Sequence, residues 1–325
     1  MKMSWMKSEF TVKKIKHSMV RDLMELDGNR VLFAQDNKIV VANRTPVLQC
    51  SEANEYDLHM HYELGGHRRE VTCIDLDQSS HLAIAGGRDR NLSLWDLNKG
   101  ILVKLEKGAH NRLITSVKIR GQSVFSSSRD RTVKVWNLPD LHLLQVLQGY
   151  HEHSVWAVDV SNPYLITASA DKSMNVWEKS SSDLWSLKHK LKNHNSPLRN
   201  VIILHKNCGK LAVTGDLVGD LRVWNLEKGE MEREIPDPRD PRARHETFPG
   251  AVVSLSQSKD FFAAAFSTKS VALFDSLNYN SIIAVNIDQY VDKNSFIRNI
   301  QIQSDGQIFI CNIGTVGIVI LSLWE

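Results

Sequence analysis

The chain has 325 residues, 42% of them hydrophobic and 24% charged, which is apolar mass enough for one large all-β domain or two average ones. A formal net charge of +3, from 40 Lys and Arg against 37 Asp and Glu, is too small to argue for nucleic acid or an anionic membrane surface, and neither is expected as a partner. Cys50, Cys73, Cys208 and Cys311 stand far apart without a CxxC pair, and MKMSWMKSEF holds no apolar run of signal-peptide length, so a disulfide framework, a zinc site and a secretory leader are unsupported. Reduced thiols in a cytoplasmic or nuclear setting are expected instead.

In chain order, FTVKKIK (10–16) alternates as a strand does. VRDLMEL (20–26) and QDNKIVVAN (35–43) follow, with Asp36 at a turn and Ala42 near the end of the second run. The pattern then sharpens into four segments with a shared ending: RDRNLSLWD (88–96), RDRTVKVWN (129–137), ADKSMNVWE (170–178) and GDLRVWN (219–225). Their tryptophans, Trp95, Trp136, Trp177 and Trp224, are spaced by 41, 41 and 47 residues. Upstream of each stands a histidine, in Gly66-His67, Ala109-His110, Glu152-His153 and Asn193-His194, followed by a second strand such as VTCIDL (71–76) or VWAVDV (155–160). Asp89, Asp130 and Asp171 mark the turn before the Trp strand; counting back from Trp224 places Val218 there. Residues 229–251, charged and proline-rich, read as a flexible loop able to carry a partner motif. Beyond it, VVSLSQ (252–257) with STKSVALFD (267–275), and IRNIQI (297–302) with TVGIVILS (315–322), repeat the pattern weakly. Phe274 and Leu321 stand at the Trp position and Thr268 and Thr315 at the Asp position. Residues 316–324, the most apolar stretch, are too few for a membrane helix and read as a buried strand.

The repeating His, Asp and Trp invite a catalytic reading, but an active site would occur once rather than in every unit. Histidines at i, i+2 in His59-Met60-His61 and His151-Glu152-His153 lack Cys or carboxylate partners at ligand spacing, and are read as solvated or structural. Asp216 and Asp220 read as turn residues. Phosphate-loop, nucleophile-elbow and HExxH motifs do not occur. No catalytic residue, metal or cofactor is expected.

These segments resemble the WD40 repeat, strongly over 67–225 and in degenerate form over 17–66 and 245–325. The resemblance implies an all-β, seven-bladed WD40 β-propeller over residues 17–325. Residues 1–16 serve as linker and as a strand that pairs with the last blade, because an open ring would leave strand edges unpaired. It implies a structural network of His67, Asp89 and Trp95; His110, Asp130 and Trp136; His153, Asp171 and Trp177; and His194 with Trp224, with Asp36 serving the first unit. It also places two residues per unit on the channel rim: Arg21, Thr72, Thr115, Trp156, Arg199, Val253 and Arg298, then Gln35, Arg88, Arg129, Ala170 and Ser267. Arg21, Arg88, Arg129, Arg199 and Arg298 with Trp156 would form a partner-binding top face suited to acidic or phosphorylated peptides. Pairing of Arg88 and Arg129 with neighbouring acids is the alternative.

SWMKSEFTVKKIK (4–16) resembles the linker that introduces the propeller of F-box/WD-repeat proteins, through Trp5, Lys7 and Phe10, and GGRDRNLSLWDL (86–97) resembles a blade of that family. This implies substrate recognition for a cullin-type (SCF) ubiquitin ligase, with ligase components as partners. No F-box stands ahead of Met1 in this sequence, so bridging to a ligase by that route is not expected of the chain alone. A free-standing WD40 scaffold, monomeric within a larger complex, is the alternative.

Overall fold

The computed structural model describes the chain apart from residues 1–10, 16–19, 28–29, 47–55, 78, 236–249, 288–295, 303–307, 314–317 and 323–325. Among the described residues there are seven four-stranded antiparallel sheets. Blades in the strict sense, each a meander cut from one continuous stretch, number six rather than seven. They begin with the innermost strands Val20–Asp27, Val71–Asp77, Ile114–Arg120, Val155–Ser161, Leu198–Leu204 and Val252–Gln257, which open blades one to six. The remaining sheet is a composite seam. Phe296–Ile302, Ile308–Ile313 and Ile318–Ser322 come from one end of the chain and Thr11–Ile15 from the other, with Thr11 opposite Ser322 and Ile15 opposite Ile318. The seven-unit count read from the sequence thus resolves into six self-contained blades and one shared sheet.

The core lies between sheets. Leu26, Leu32 and Val41 of blade one meet Ile74, Ala83 and Trp95 of blade two, and the same arrangement recurs around the ring. Trp136 packs with Ile84 and Leu94 of blade two, Trp177 with Phe125 and Val135 of blade three, and Trp224 with Tyr164 and Ile166 of blade four. Each tryptophan therefore anchors its blade to the preceding one. Phe274 does this for blade six, stacked on Phe262 at 4.9 Å and packed against Val213 and Val223 of blade five. Burying a ring of this size stabilises by several times the contribution of one methylene, about 0.8 kcal/mol.

A hydrogen-bonded chain satisfies the polar ends of four of these anchors. In blade two the Trp95 indole N–H donates to Ser93 Oγ at 2.9 Å, Ser93 Oγ lies 2.8 Å from His67 Nε2, and His67 Nδ1 lies 2.9 Å from Asp89. Blade three repeats it through Trp136, Ser126, His110 and Asp130, at 2.9, 2.8 and 2.9 Å. Blade four does so through Trp177, Thr167, His151 and Asp171. His151, not His153, is the bridging residue; His153 is exposed. Blade five uses Trp224, Thr214, His194 and Asp216, so the acid expected at Val218 is supplied by Asp216, whose Oδ1 accepts the N–H groups of Val218, Gly219 and Asp220. Asp36 is corrected as well. It is an exposed residue at φ +50° in the tight turn joining Gln35 to Lys38, and its carbonyl accepts the Val71 N–H at 2.7 Å. Gly87 leaves room for the pair beside it: a Cβ there would come within 2.8 Å of Asp89 Oδ1 and 2.9 Å of His67 Nδ1.

The sequence segment 229–251, read as one loop, opens with a strand, Glu230–Ile235, the outer strand of blade five; residues 236–249 lie outside the described residues. Thr315 and the side chain of Leu321 also lie outside them, as does His59's side chain.

Candidate functional site

The seven innermost strands surround a channel of about 1380 Å³. Each carries a register shift at the same place near its start, and the strand of blade one has a second between Glu25 and Asp27. The register shifts between Val20 and Asp22, Val71 and Cys73, Ile114 and Ser116, Val155 and Ala157, Leu198 and Asn200, Val252 and Ser254, and Ile297 and Asn299. The residue left out of the pairing is in turn Arg21, Thr72, Thr115, Trp156, Arg199, Val253 and Arg298, the rim set expected from the sequence. A β-bulge frees one residue from the ladder and re-aims its side chain. All seven line the channel, as do Arg88 and Arg129.

The arginines do not form one uniform patch. At blades one and two, Glu70 stands between two of them: Arg21 Nη2 donates to Glu70 Oε1 at 2.7 Å, and Arg88 Nε forms an ion pair with Oε2 at 2.7 Å. The Arg88 N–H also donates to the Glu70 carbonyl at 2.8 Å, which fixes the acid's backbone. Arg88 thus pairs with a neighbouring acid, as the alternative reading held. Arg129 of blade three instead meets Trp156 of blade four. Its guanidinium lies 5.6 Å from the centre of the Trp156 ring, and that of Arg199 lies 5.1 Å from it, both within cation–π range. Among the described residues, no carboxylate comes within ion-pair distance of Arg129, Arg199 or Arg298. Burial, then the charges of Arg298 and Arg129, push the Arg199 guanidinium down to about 10, so it stays charged at neutral pH. Burial and Arg21 lower Arg298 too, with Asp22 opposing. The Trp156 indole N–H is buried without an acceptor. This part of the rim combines exposed Arg129 with half-buried Arg199 and Trp156, and holds no ion-paired carboxylate among the described residues.

Below the rim the channel wall is held by bonds that cross from sheet to sheet, which the sequence reading missed. Asp22 of blade one accepts the Ile74 N–H at 2.8 Å, Asp75 of blade two the Ile119 N–H at 2.6 Å, and Asp159 of blade four the Ile203 N–H at 2.7 Å. Thr115 donates to the Val155 carbonyl and Asn200 to that of Val252; Ser254 accepts from Ile300, and Asn299 of the seam donates to Asp22. A buried Asp inside an otherwise apolar strand, as in VTCIDL and VWAVDV, was the signal that could have found two of them.

His194, Asp216 and Asp220 approach one another closely enough to ligate a metal ion. Their ligand atoms are already engaged: His194 with Thr214 and Asp216, Asp216 Oδ1 with three backbone N–H groups, and Asp220 with Arg222. The cluster reads as the blade-five network.

The sequence family described as WD domain, G-beta repeat, matches residues 59–96, 103–137 and 142–178. Each matched segment joins the outer strand of one blade to the three inner strands of the next, so the repeat unit straddles a joint. The crystal structure of the WD40 beta propeller domain of Doa1 is similar in fold, with a TM-score of 0.73 over 98% of each chain at 19% sequence identity. No curated protein matches the chain by sequence. The chain thus carries three segments that match the WD repeat and shares the fold of a WD40 β-propeller.

Proposed function

We propose that this propeller is a non-enzymatic interaction module that holds acidic or phosphorylated segments of other proteins on its arginine-bearing rim. The observation that carries this reading is the pair Arg129 and Arg199 at Trp156, with Arg298 repelling Arg199 from the seam, and no carboxylate within ion-pair distance of the three among the described residues. Guanidinium groups offer paired donors that match carboxylate and phosphate, and an adjoining tryptophan supplies apolar area at low entropic cost. An anion seated there relieves the repulsion that the free protein carries. The finer reading, recognition of clients for an F-box-type ubiquitin ligase in cytoplasm or nucleus, rests on the resemblance of residues 4–16 and 86–97 alone, and residues 4–10 lie outside the described residues. Affinity purification of wild type beside the Arg129→Glu/Arg199→Glu variant, with a phosphatase-treated arm, tests both. Loss of partners with either treatment is the expected result, with ligase adaptors among them if the finer reading holds. Partners that persist through both treatments sink the acidic-segment reading and leave a scaffold that binds elsewhere.

A further inference from the structure

The arginines of blades one and two share an acid, Glu70, that Arg129 and Arg199 lack. Its carboxylate sits between Arg21 and Arg88 in the manner of a ligand's anion, one oxygen toward each guanidinium, both at 2.7 Å. Its backbone is held by the Arg88 N–H immediately before the innermost strand of blade two, Val71–Asp77. On the other side, Arg129 and Arg199 flank Trp156 with no internal acid. In ring order the ion-paired arginines belong to blades one and two, those at Trp156 of blade four to blades three and five, and Arg298, without an ion pair among the described residues, to the seam. Filling one half with the protein's own carboxylate leaves a single electropositive seat, and any second anion placed near blades one and two would meet Glu70.

We infer that Glu70 sets the charge of the ligand: the rim takes one anionic group, seated at Arg129, Trp156 and Arg199, and excludes a second from the Arg21–Arg88 pair. This rests on the acidic-segment reading above and goes beyond it, since that reading alone favours whichever ligand carries more charge. Without Glu70, the two freed guanidinia would form a second seat. Specificity for singly over multiply charged segments would then come from an acid placed among bases, a repulsive element as much as an attractive one.

Degenerate peptides carrying one phosphoserine, two phosphoserines one to five residues apart, or none, titrated by calorimetry against wild type and Glu70→Gln, test the inference. Binding at Trp156 is followed in parallel by its indole N–H resonance. Wild type is expected to gain less than about twofold from the second phosphate. Glu70→Gln is expected to gain about tenfold at the best spacing, the worth of one added charge-assisted pair. Glu70→Asp, which keeps the charge but shortens its reach, should fall between the two and serves if the Gln variant does not fold. A wild type that already gains tenfold, or a Glu70→Gln ratio equal to wild type, overturns the role of Glu70 while leaving the acidic-segment reading intact. Failure of wild type to prefer the singly phosphorylated peptides over the unphosphorylated ones removes both.

Discussion

The joints of blades two to five and the joint running from blade six through the seam to blade one close the same ring by different means. In the first group each blade sends back a tryptophan whose N–H feeds a hydroxyl, a histidine and an aspartate, so a large apolar anchor is also fully satisfied in its polar part. In the second, Phe274 anchors through a ring that carries no N–H to satisfy, and Ala42 stands where blade one would carry the ring. The seam leans on small and aliphatic side chains, Ala263, Ala265, Val271 and Leu273 against Ile297, Ile300 and Ile302, and on Asn299 reaching Asp22. The bulge beside the anchor persists even where the anchor is gone: the register shifts between Val41 and Ala42 and between Leu273 and Phe274, as it does between Val223 and Trp224. The bulge is thus kept in the six blades and absent from the seam, where Thr11–Ile15 pairs with Ile318–Ser322 in continuous register, while side-chain anchoring is concentrated in one arc.

The most severe way to break this contrast is to remove an anchor. Trp224→Ala deletes a fully buried ring and strands Thr214 and His194, and is expected to cost about 3–5 kcal/mol. Phe274→Leu in blade six, which keeps a hydrophobe and breaks no hydrogen bond, is expected to cost about 1 kcal/mol. Chemical denaturation of the two variants decides it, and equal losses would show that the arc of tryptophans is not the stronger one. A milder cut removes an acid. Asp171→Ala leaves His151 and the N–H groups of Glu152 and Ser173 without their acceptor, for an expected loss of about 1–3 kcal/mol. Asp36→Ala, at an exposed turn, is expected to stay within about 0.5 kcal/mol of wild type. A large effect at Asp36 would mean that blade one holds a network after all.

How far the sequence could be read follows from which distances the fold keeps constant. Asp89, Asp130 and Asp171 each stand six residues before their tryptophan, so counting back found them. In blade five the turn is longer by two residues, and the same count fell on Val218 while the acid stayed at the strand end as Asp216. At blade one the count gave Asp36, but a two-residue turn there leaves the side chain outside. The separation of histidine and aspartate is 22, 20, 20 and 22 residues, a range that selects His151 over its neighbour, 18 residues from Asp171. The rim set was legible because one bulged residue follows the first apolar residue of every inner strand. What that reading could not give was which arginines are neutralised. Glu70 lies one residue outside the strand pattern, and its two partners come from different blades.

The last way to sharpen the comparison is pH, because the two arcs carry carboxylates of opposite behaviour. Burial opposes ionisation of Asp130 and Asp171, but bonds from His110 and Thr132, and from His151 and Ser173, outweigh it and hold both well below the usual carboxylate range. Such groups stabilise the fold above about pH 4, and the contribution is lost as pH falls through their folded values. At the seam, burial dominates at Asp22 and pushes it up to about 6, with the Ile74 N–H and Lys118 opposing and Asp75 assisting. Between about pH 4 and 6 the folded chain therefore holds a proton at Asp22 that the unfolded chain releases, so this residue's effect on stability becomes less favourable as pH rises. Asp22→Asn keeps an acceptor for Ile74 and removes the titration. Its melting temperature relative to wild type is expected to climb by about 2–4 °C from pH 4 to pH 7 and then level off. A flat difference across that range would place Asp22 in the ionised state throughout, and would make the seam's polar closure as secure as the histidine–aspartate pairs of the opposite arc.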